Sequence, residues 1–127
     1  MDQNKIWVVI AALLLAIFAA ELSSAEKFPI IDFVNKCDQN VSFICRAVER
    51  TILKPGQKVS LEASFKNYPN AYDCEGDDSS VNFLDFSAYN VTRDKEHQHI
   101  HWKFNSVGAY LSYDNIHWTL GREWESD

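Results

Sequence analysis

Apolar and polar residues alternate along two runs in the second half of the chain, residues 81–90 and residues 97–104. The apolar and aromatic positions of the two runs are Val81, Phe83, Leu84, Phe86, Tyr89, Ile100, Trp102 and Phe104. A repeat of two residues is typical of a β-strand with one buried and one exposed face. We therefore predict two strands joined by a polar turn at residues 92–96, with the rest of the chain packed against this pair.

Shorter apolar runs, separated by turn residues, occupy most of the remaining chain. The further strands predicted are residues 29–34, 41–48 and 59–65, a short one at Tyr72 and Cys74, and residues 109–113 and 116–120. The turns predicted are residues 54–57, 67–70, 76–80, 105–108 and 114–115. Many short strands with turn residues between them indicate a β-sandwich or a small barrel. Of these we predict an all-β fold, a small antiparallel β-sandwich of about seven to eight short strands, stapled by a disulfide bond.

The first 25 residues have the order of features found in a secretory signal peptide. Lys5 precedes an apolar run of about 15 residues, positions 6–20, and small residues follow at positions 23–25. We predict that residues 1–25 are a signal peptide that is cleaved after Ala25. The apolar run is shorter than the roughly 20 residues that span a bilayer, so an uncleaved membrane anchor is the weaker alternative. Residues 26–127 are then expected to form one secreted, extracellular domain without stable membrane insertion.

The charge of the chain argues against nucleic acid as a partner. Its 12 basic and 18 acidic residues give a formal net charge of −6 with histidine neutral. A domain that binds nucleic acid carries a basic patch, stripe or tail, and this sequence has none. The same negative sign disfavours adsorption to anionic membranes.

Three cysteines follow the predicted signal peptide: Cys37, Cys45 and Cys74. In an oxidising compartment two of them should pair and one should be left over. A Cys37–Cys45 bridge would close a small loop, whereas a Cys45–Cys74 bridge would close a longer one and stabilise the fold by about 3 kcal/mol. We favour Cys45–Cys74 because both residues lie next to strand-like runs. Cys37 is then free, buried or the site of a bridge to a second chain, and the protein is otherwise expected to be a monomer.

Two sequons for N-glycosylation occur after the predicted signal peptide, Asn40-Val41-Ser42 and Asn90-Val91-Thr92. Neither has proline at its central position, and both lie at the ends of predicted strands. In a secreted chain we therefore predict Asn40 and Asn90 as glycosylation sites.

A row of histidines at every second position, His97, His99 and His101, suggests metal chemistry. In a strand the three imidazoles would lie on one face, and imidazole is a common ligand of Zn²⁺ and Cu²⁺. A flat row is too long for one ion to hold all three, so the candidate metal ligands are two of them, His97 and His99, with a carboxylate such as Glu96 or Asp94. We favour the simpler interpretation, a polar stripe that faces solvent opposite Ile100 and Trp102, over a metal site or a surface that responds to pH.

Catalytic motifs find little support in the sequence. No candidate nucleophile lies in a recognisable elbow or glycine-rich turn, and nothing near Cys37 in the sequence would lower the pKa of its thiol. We interpret Trp102, Trp118 and Trp124 as core or sheet-face residues rather than a sugar-binding platform. We therefore predict that the protein is not an enzyme and has no cofactor.

An ordered set of short motifs resembles the plant self-incompatibility protein S1 family, the S-protein homologues. The matching residues are Val34-Asn35, Val41–Cys45, residues 52–57, residues 59–65, Cys74, Phe86-Ser87-Ala88-Tyr89, Arg93-Asp94, Trp102-Lys103, Gly108, Tyr110 and Trp124. The chain departs from the family in residues 95–101, where two further cysteines would be expected, and at Glu75, where the family has an aromatic residue. If the two missing cysteines paired with each other, the resemblance implies that the remaining bridge is Cys45–Cys74.

The resemblance implies a secreted β-sandwich that acts as a signal and is read by a cell-surface receptor protein. On this reading the contact loops would be residues 35–39, 66–72, 75–80 and 92–98. A second hypothesis is a secreted ligand-binding or metal-binding module that uses His97, His99 and His101. A third, weaker hypothesis is a secreted effector or toxin on the same scaffold.

Overall fold

A computed structural model describes residues 28–46, 49–63 and 71–126 as two β-sheets packed face to face. The first sheet contains β1 (Ile30–Asn35), β4 (Lys58–Glu62), β7 (His99–Phe104), β8 (Gly108–Ser112) and β9 (Thr119–Glu123), in the order β4-β1-β7-β8-β9. The second contains β2 (Val41–Cys45), β3 (Thr51–Leu53), β5 (Ala71–Asp78), β6 (Asn82–Asn90) and β10 (Glu125–Ser126), in the order β10-β6-β5-β2-β3. The predicted all-β sandwich is confirmed, with ten strands in the described residues instead of seven to eight.

A one-turn helix, α1 (Val91–Asp94), follows β6. Among the residues that the structure describes, no helix has the length and apolar character needed to cross a membrane. The predicted signal peptide, residues 1–25, lies outside the described residues.

Aromatic rings from both sheets fill the space between them. Phe33 of β1 packs on Phe43 of β2 with ring centroids 4.6 Å apart, and Phe86 of β6 packs on Trp102 of β7 at 4.8 Å. Phe104 of β7 lies 5.7 Å from Phe43, measured between ring centroids. These rings occupy the apolar positions of runs with a two-residue repeat, so the alternation that predicts the strands also supplies the core.

The two central runs of the sequence are strands, as predicted, but they do not pair with each other. β6 lies in the second sheet and β7 in the first, and Nε1 of Trp102 donates a hydrogen bond across the core to the carbonyl oxygen of Ala88 at 2.9 Å. The connector begins with a capped helix, since Oδ1 of Asn90 accepts hydrogen bonds from the backbone nitrogens of Thr92 and Arg93. The two predicted strands are therefore divided between the two sheets, because a two-residue repeat specifies the face of a strand and not its partner.

Several details of the strand pairing differ from the prediction. β1 and β7 run parallel, within sheets that are otherwise antiparallel, and this pairing places Asp32 opposite His101. Residues 76–78, expected in a loop, continue β5, which pairs with β2 on one side and β6 on the other. Acidic and small residues made this segment resemble a loop, but its backbone groups are satisfied by both neighbours. The connection expected at residues 114–115 extends over residues 113–118.

A disulfide bond joins Cys45 and Cys74, which is the pairing favoured from the sequence. The two residues lie directly opposite each other on β2 and β5, with Cα atoms 4.1 Å apart. The bridge therefore ties neighbouring strands of the second sheet. Cys37 is free and half-buried, and its burial, together with the negative charges of Asp78 and Asp38, raises the pKa of its thiol.

The backbones of β8 and β9 approach each other closely at Gly108. A Cβ atom added there would lie 2.0 Å from the carbonyl oxygen of Arg122 and 2.8 Å from Cα of Glu123. We expect Gly108→Ala to lower the free energy of unfolding by about 2 kcal/mol or more, because the two strands must move apart. Urea-induced unfolding measures this change.

Gly76 of β5 is the matched control for this substitution. A Cβ atom added at Gly76 would meet Cβ of Phe43 at 3.6 Å, an ordinary van der Waals contact. Gly76→Ala should therefore change the free energy of unfolding by less than about 1 kcal/mol. Equal stability of the two variants would show that β8 and β9 are not packed as described.

Candidate functional site

Two histidines and an aspartate meet on the outer face of the first sheet. We call Asp32, His99 and His101 the His–Asp cluster. Oδ2 of Asp32 lies 2.6 Å from Nε2 of His99 and 3.2 Å from Nδ1 of His101, and the two imidazole centroids are 4.3 Å apart. The sheet produces this geometry because β1 and β7 are neighbours with Asp32 opposite His101, and because His99 and His101 lie two residues apart on one face of β7.

The surroundings of the His–Asp cluster set its protonation states. Burial alone would raise the pKa of Asp32, but hydrogen bonds from Ser60 and His99 and the nearby imidazole charges hold this pKa below its ordinary value. Burial, together with the charge of His99, lowers the pKa of His101 and outweighs the opposing effect of Asp32. At neutral pH the cluster therefore combines an ionised carboxylate with a neutral His101 imidazole.

Of the pair predicted as metal ligands, only His99 lies in the His–Asp cluster. The ring of His97, which precedes β7, stacks on the ring of Tyr113 with centroids 3.6 Å apart. The carboxylates expected beside the histidines also lie elsewhere, since Glu96 is exposed and Asp94 is fully buried. His97 does not continue the row of His99 and His101, because β7 begins at His99. Before that residue the chain follows α1 and the turn at residues 95–98.

The sequence reasoning missed Asp32 as a member of the cluster. The residue is 67 positions away from His99 in the sequence, so only the pairing of β1 with β7 brings the two together. One signal was available, because Asp32 interrupts the otherwise apolar run of residues 29–34. A carboxylate in such a run needs partners, and the structure supplies them from β4 and β7.

The order of groups in the cluster does not match a hydrolytic triad. In a triad the imidazole lies between the hydroxyl and the carboxylate and takes the hydroxyl proton. Here the carboxylate of Asp32 lies between the hydroxyl of Ser60 and the imidazole of His99, and the hydroxyl of Ser60 donates a hydrogen bond to the carboxylate. The arrangement orients Asp32 and does not activate Ser60 as a nucleophile.

An open groove of about 860 Å³ is lined by residues of β2, β5, β6 and β9 and by residues that follow β2. Glu75 and Asp85, which line it, lie directly opposite each other on β5 and β6. Like charges in this position destabilise a strand pair. The same groove is also lined by Arg46 and Arg122. The groove therefore offers both signs of charge, and we assign no ligand to it.

The described connections between strands are divided between the two ends of the sandwich. Strand directions place residues 36–40, 54–57, 79–81 and 105–107 at one end, which we call the first loop end. Residues 91–98 and 113–118 lie at the opposite end, the second loop end. Of the predicted contact loops, residues 36–39 and 79–80 lie at the first loop end and residues 92–98 lie at the second. Residues 75–78 and 71–72, which were also expected in contact loops, belong to β5, and residues 66–70 lie outside the described residues. The predicted loops therefore do not form one surface.

Two buried polar side chains, which the sequence reasoning did not identify as a site, fix the first loop end. Nδ2 of Asn35 donates to the carbonyl oxygens of Gln39 and Leu53, both at 2.9 Å. The carboxylate of Asp78 accepts from Nε2 of Gln39 at 3.0 Å and from Nδ2 of Asn82 at 2.9 Å. We call these contacts the Asn35–Asp78 network. It joins residues 36–40 to the loop that follows β5.

The two predicted glycosylation sites lie at opposite ends of the sandwich. Asn40 is exposed at the first loop end, directly before β2. Asn90 is half-exposed at the end of β6, where its Oδ1 caps α1. Glycosylation of Asn40 and Asn90 stays a prediction.

Comparisons of this chain with protein-family models, with curated proteins and with solved structures find no match. The likeness to the S-protein homologues therefore stays a resemblance of ordered short motifs. What the protein does must be argued from its own residues.

Proposed function

We propose that this is a small secreted, non-enzymatic recognition protein that presents loops of its β-sandwich to a cell-surface receptor, as in cell–cell recognition of the self-incompatibility type. The motifs that resemble the S-protein homologues support the proposal. So does the Cys45–Cys74 bridge, because disulfide bonds persist in oxidising, extracellular surroundings. The observation that carries the proposal is the Asn35–Asp78 network, which holds the loops of one end in place.

The Asn35–Asp78 network favours recognition because it reduces the conformational entropy that the loops lose when a partner binds. Asn35 is 0% and Asp78 is 6% exposed. Their side chains form hydrogen bonds both with Gln39 in the loop and with residues of β3 and β6. Movement of the loops would break these bonds in a buried setting, where unpaired polar groups are costly. A loop that is already held in place loses little conformational freedom when a partner binds.

The side chains that the first loop end exposes suit a protein partner. Lys36 and Asp38 bring opposite charges, while Val81 and Val107 are 70% and 46% exposed. Exposed apolar side chains bordered by charged ones are the composition of a protein–protein interface. We infer that the receptor is a protein and that the first loop end is the contact surface.

Exchanging the charges of Lys36 and Asp38 tests the proposal without altering the buried network. We expect the Lys36→Glu/Asp38→Lys variant, which keeps the net charge, to bind about tenfold or more weakly, because a complementary receptor would then meet like charges. The measurement is saturation binding of fluorescently labelled residues 26–127 to intact cells of the organism that encodes the chain. Excess unlabelled protein corrects for non-specific binding.

The matched control exchanges the same two charges at the second loop end. The Lys95→Glu/Glu96→Lys variant should bind within about twofold of the unaltered protein, because an exposed charge far from the interface contributes little. Equal losses in the two variants would rule out the first loop end as the contact surface. Absence of saturable binding by the unaltered protein would contradict the recognition function itself.

A further inference from the structure

We propose that Asp32, His99 and His101 form a binding site for a zinc ion on the outer face of the first sheet. Each residue offers one ligand atom, and the three atoms lie within 4.8 Å of one another. The inference is independent of the recognition function, because it depends on a different surface of the molecule.

Two of the three distances between ligand atoms of the His–Asp cluster are close to those of a zinc site, and all three are within 4.8 Å. Tetrahedral zinc with bonds of about 2.0–2.2 Å holds neighbouring ligand atoms about 3.3 Å apart. Oδ2 of Asp32 is already 3.2 Å from Nδ1 of His101. Its distance to Nε2 of His99, 2.6 Å, would have to grow by about 0.7 Å, which a small rotation of the exposed His99 side chain supplies.

The positions of the three ligands are fixed by the sheet and by a supporting hydrogen bond. β1 and β7 are interior strands of the first sheet, each paired on both sides, so their backbones are held more firmly than those of a loop. The second carboxylate oxygen of Asp32 accepts a hydrogen bond from Ser60 of β4. Such a bond to a ligating carboxylate fixes its orientation and is a regular feature of metal sites.

The donor set and its exposure also suit zinc. Two imidazole nitrogens, which are borderline ligands, and one carboxylate oxygen are a donor set found in zinc sites, and three protein ligands leave a fourth position for water. The side chain of His99 is 48% exposed, whereas those of Asp32 and His101 are 12% and 15% exposed. An ion can therefore enter beside His99 and meet two ligands that are already ordered. The positive charge of Lys58, which acts on His101, opposes binding and points to a modest affinity.

Zinc would take the place of the proton shared between His99 and Asp32. Nε2 of His99 and Oδ2 of Asp32 are close enough to share one proton in the hydrogen-bonded cluster. When zinc occupies that space, Nε2 becomes a ligand, the proton between Nε2 and Oδ2 passes to solvent, and the neutral imidazole carries a proton on Nδ1. Asp32 then exchanges a hydrogen bond for a metal bond and remains ionised.

The test is a titration of the secreted chain, carrying no histidine tag, with zinc chloride. We expect one zinc ion per chain by isothermal titration calorimetry, with the imidazole NMR signals of His99 and His101 shifting together. His99→Ala and His101→Ala should each raise the dissociation constant about tenfold or more. Because the His99 side chain is 48% exposed, we expect His99→Ala to fold, and this variant decides the question if the His101 variant does not fold.

His97 and His117 provide matched controls in the same molecule. His97 stacks on Tyr113 and His117 contacts Asp114 on an exposed loop, so neither belongs to the cluster. His97→Ala and His117→Ala should leave the zinc dissociation constant within about twofold. Zinc binding that survives the loss of His99, or that disappears with His97 or His117, would overturn the assignment. So would the absence of any binding or NMR shift at millimolar zinc.

Discussion

Replacement of Asp94 by alanine should lower the free energy of unfolding by about 3–5 kcal/mol. Asp94 is 0% exposed and accepts hydrogen bonds from Nε of Arg93 at 2.7 Å, from the backbone nitrogen of Asn90 at 2.9 Å and from the hydroxyl of Tyr113. Truncation leaves the donor groups of Asn90, Arg93 and Tyr113 without their acceptor. Because the Arg93 side chain is 34% exposed and can partly turn to solvent, we expect the lower part of the range. Chemical denaturation of the two proteins measures the difference.

Asp38 provides the control for the Asp94 substitution, since it is exposed on a loop. Asp38→Ala should change the free energy of unfolding by no more than about 0.5 kcal/mol. If Asp94→Ala were equally mild, the carboxylate would not be the centre of a buried network. The connector from β6 to β7, which begins with α1, would then need a different account.

The contacts of Asp94 with Arg93 and Tyr113 also predict how the free energy of unfolding depends on pH. Burial would raise the pKa of Asp94, but hydrogen bonds from Arg93 and Tyr113 and the arginine charge hold it below the usual 3.8. Its contribution is therefore present above pH 3.8 and is lost as the pH falls through the lower pKa of the folded state. Burial and the bond to Asp94 raise the pKa of Tyr113 to about 12, so the contribution of that hydroxyl is present below pH 10 and is lost as the pH rises towards 12. Tyr113→Phe should reduce the alkaline loss, to which Tyr72 and Tyr89 also contribute because burial raises their pKa values. It should keep only part of the acid loss, since the hydrogen bond from Tyr113 is one of the causes that lower the pKa of Asp94.

The strands were more predictable from the sequence than their partners. The repeat of residues 97–104 identified β7 and placed Trp102 and Phe104 in the core, because the repeat depends only on which face is buried. The parallel pairing of β7 with β1 depends on contacts between residues nearly 70 positions apart, on which local alternation carries no information. The same limit explains why the alternation did not show that β6 and β7 lie in different sheets, where Asn90 caps a helix between them.

The candidate site was predictable only in the part that is local in sequence. His99 and His101 share a face because they are two residues apart on one strand. Asp32 could not be chosen over Glu96 or Asp94, because distance along the chain favours the residues nearest the histidines. The structure reverses that preference, since Asp94 is buried in its own network and Asp32 is directly opposite His101.

Removal of the Cys45–Cys74 bridge should lower the free energy of unfolding by about 3 kcal/mol. The bridge closes a loop with a sequence separation of 29 and so restricts the unfolded chain. We would replace both cysteines by alanine, because a single substitution leaves a thiol that can pair with Cys37. Urea-induced unfolding under non-reducing conditions measures the loss. In the native state the substitution removes only the two sulfur atoms, since alanine keeps Cβ. The backbones of β2 and β5 remain paired with each other.

Cys37→Ala is the control, because Cys37 is free and only half-buried. It should cost less than about 1 kcal/mol and leave the bridge intact. Peptide mapping without reduction should recover Cys45 linked to Cys74 in the unaltered protein and in this variant. Recovery of a Cys37–Cys45 peptide would contradict the pairing. To form that bridge, Cys37 would have to leave its position at the first loop end, and the contacts of the Asn35–Asp78 network beside it would break. A cost at Cys37 as large as that of the double variant would show that this thiol, and not the bridge, supports the core beside it.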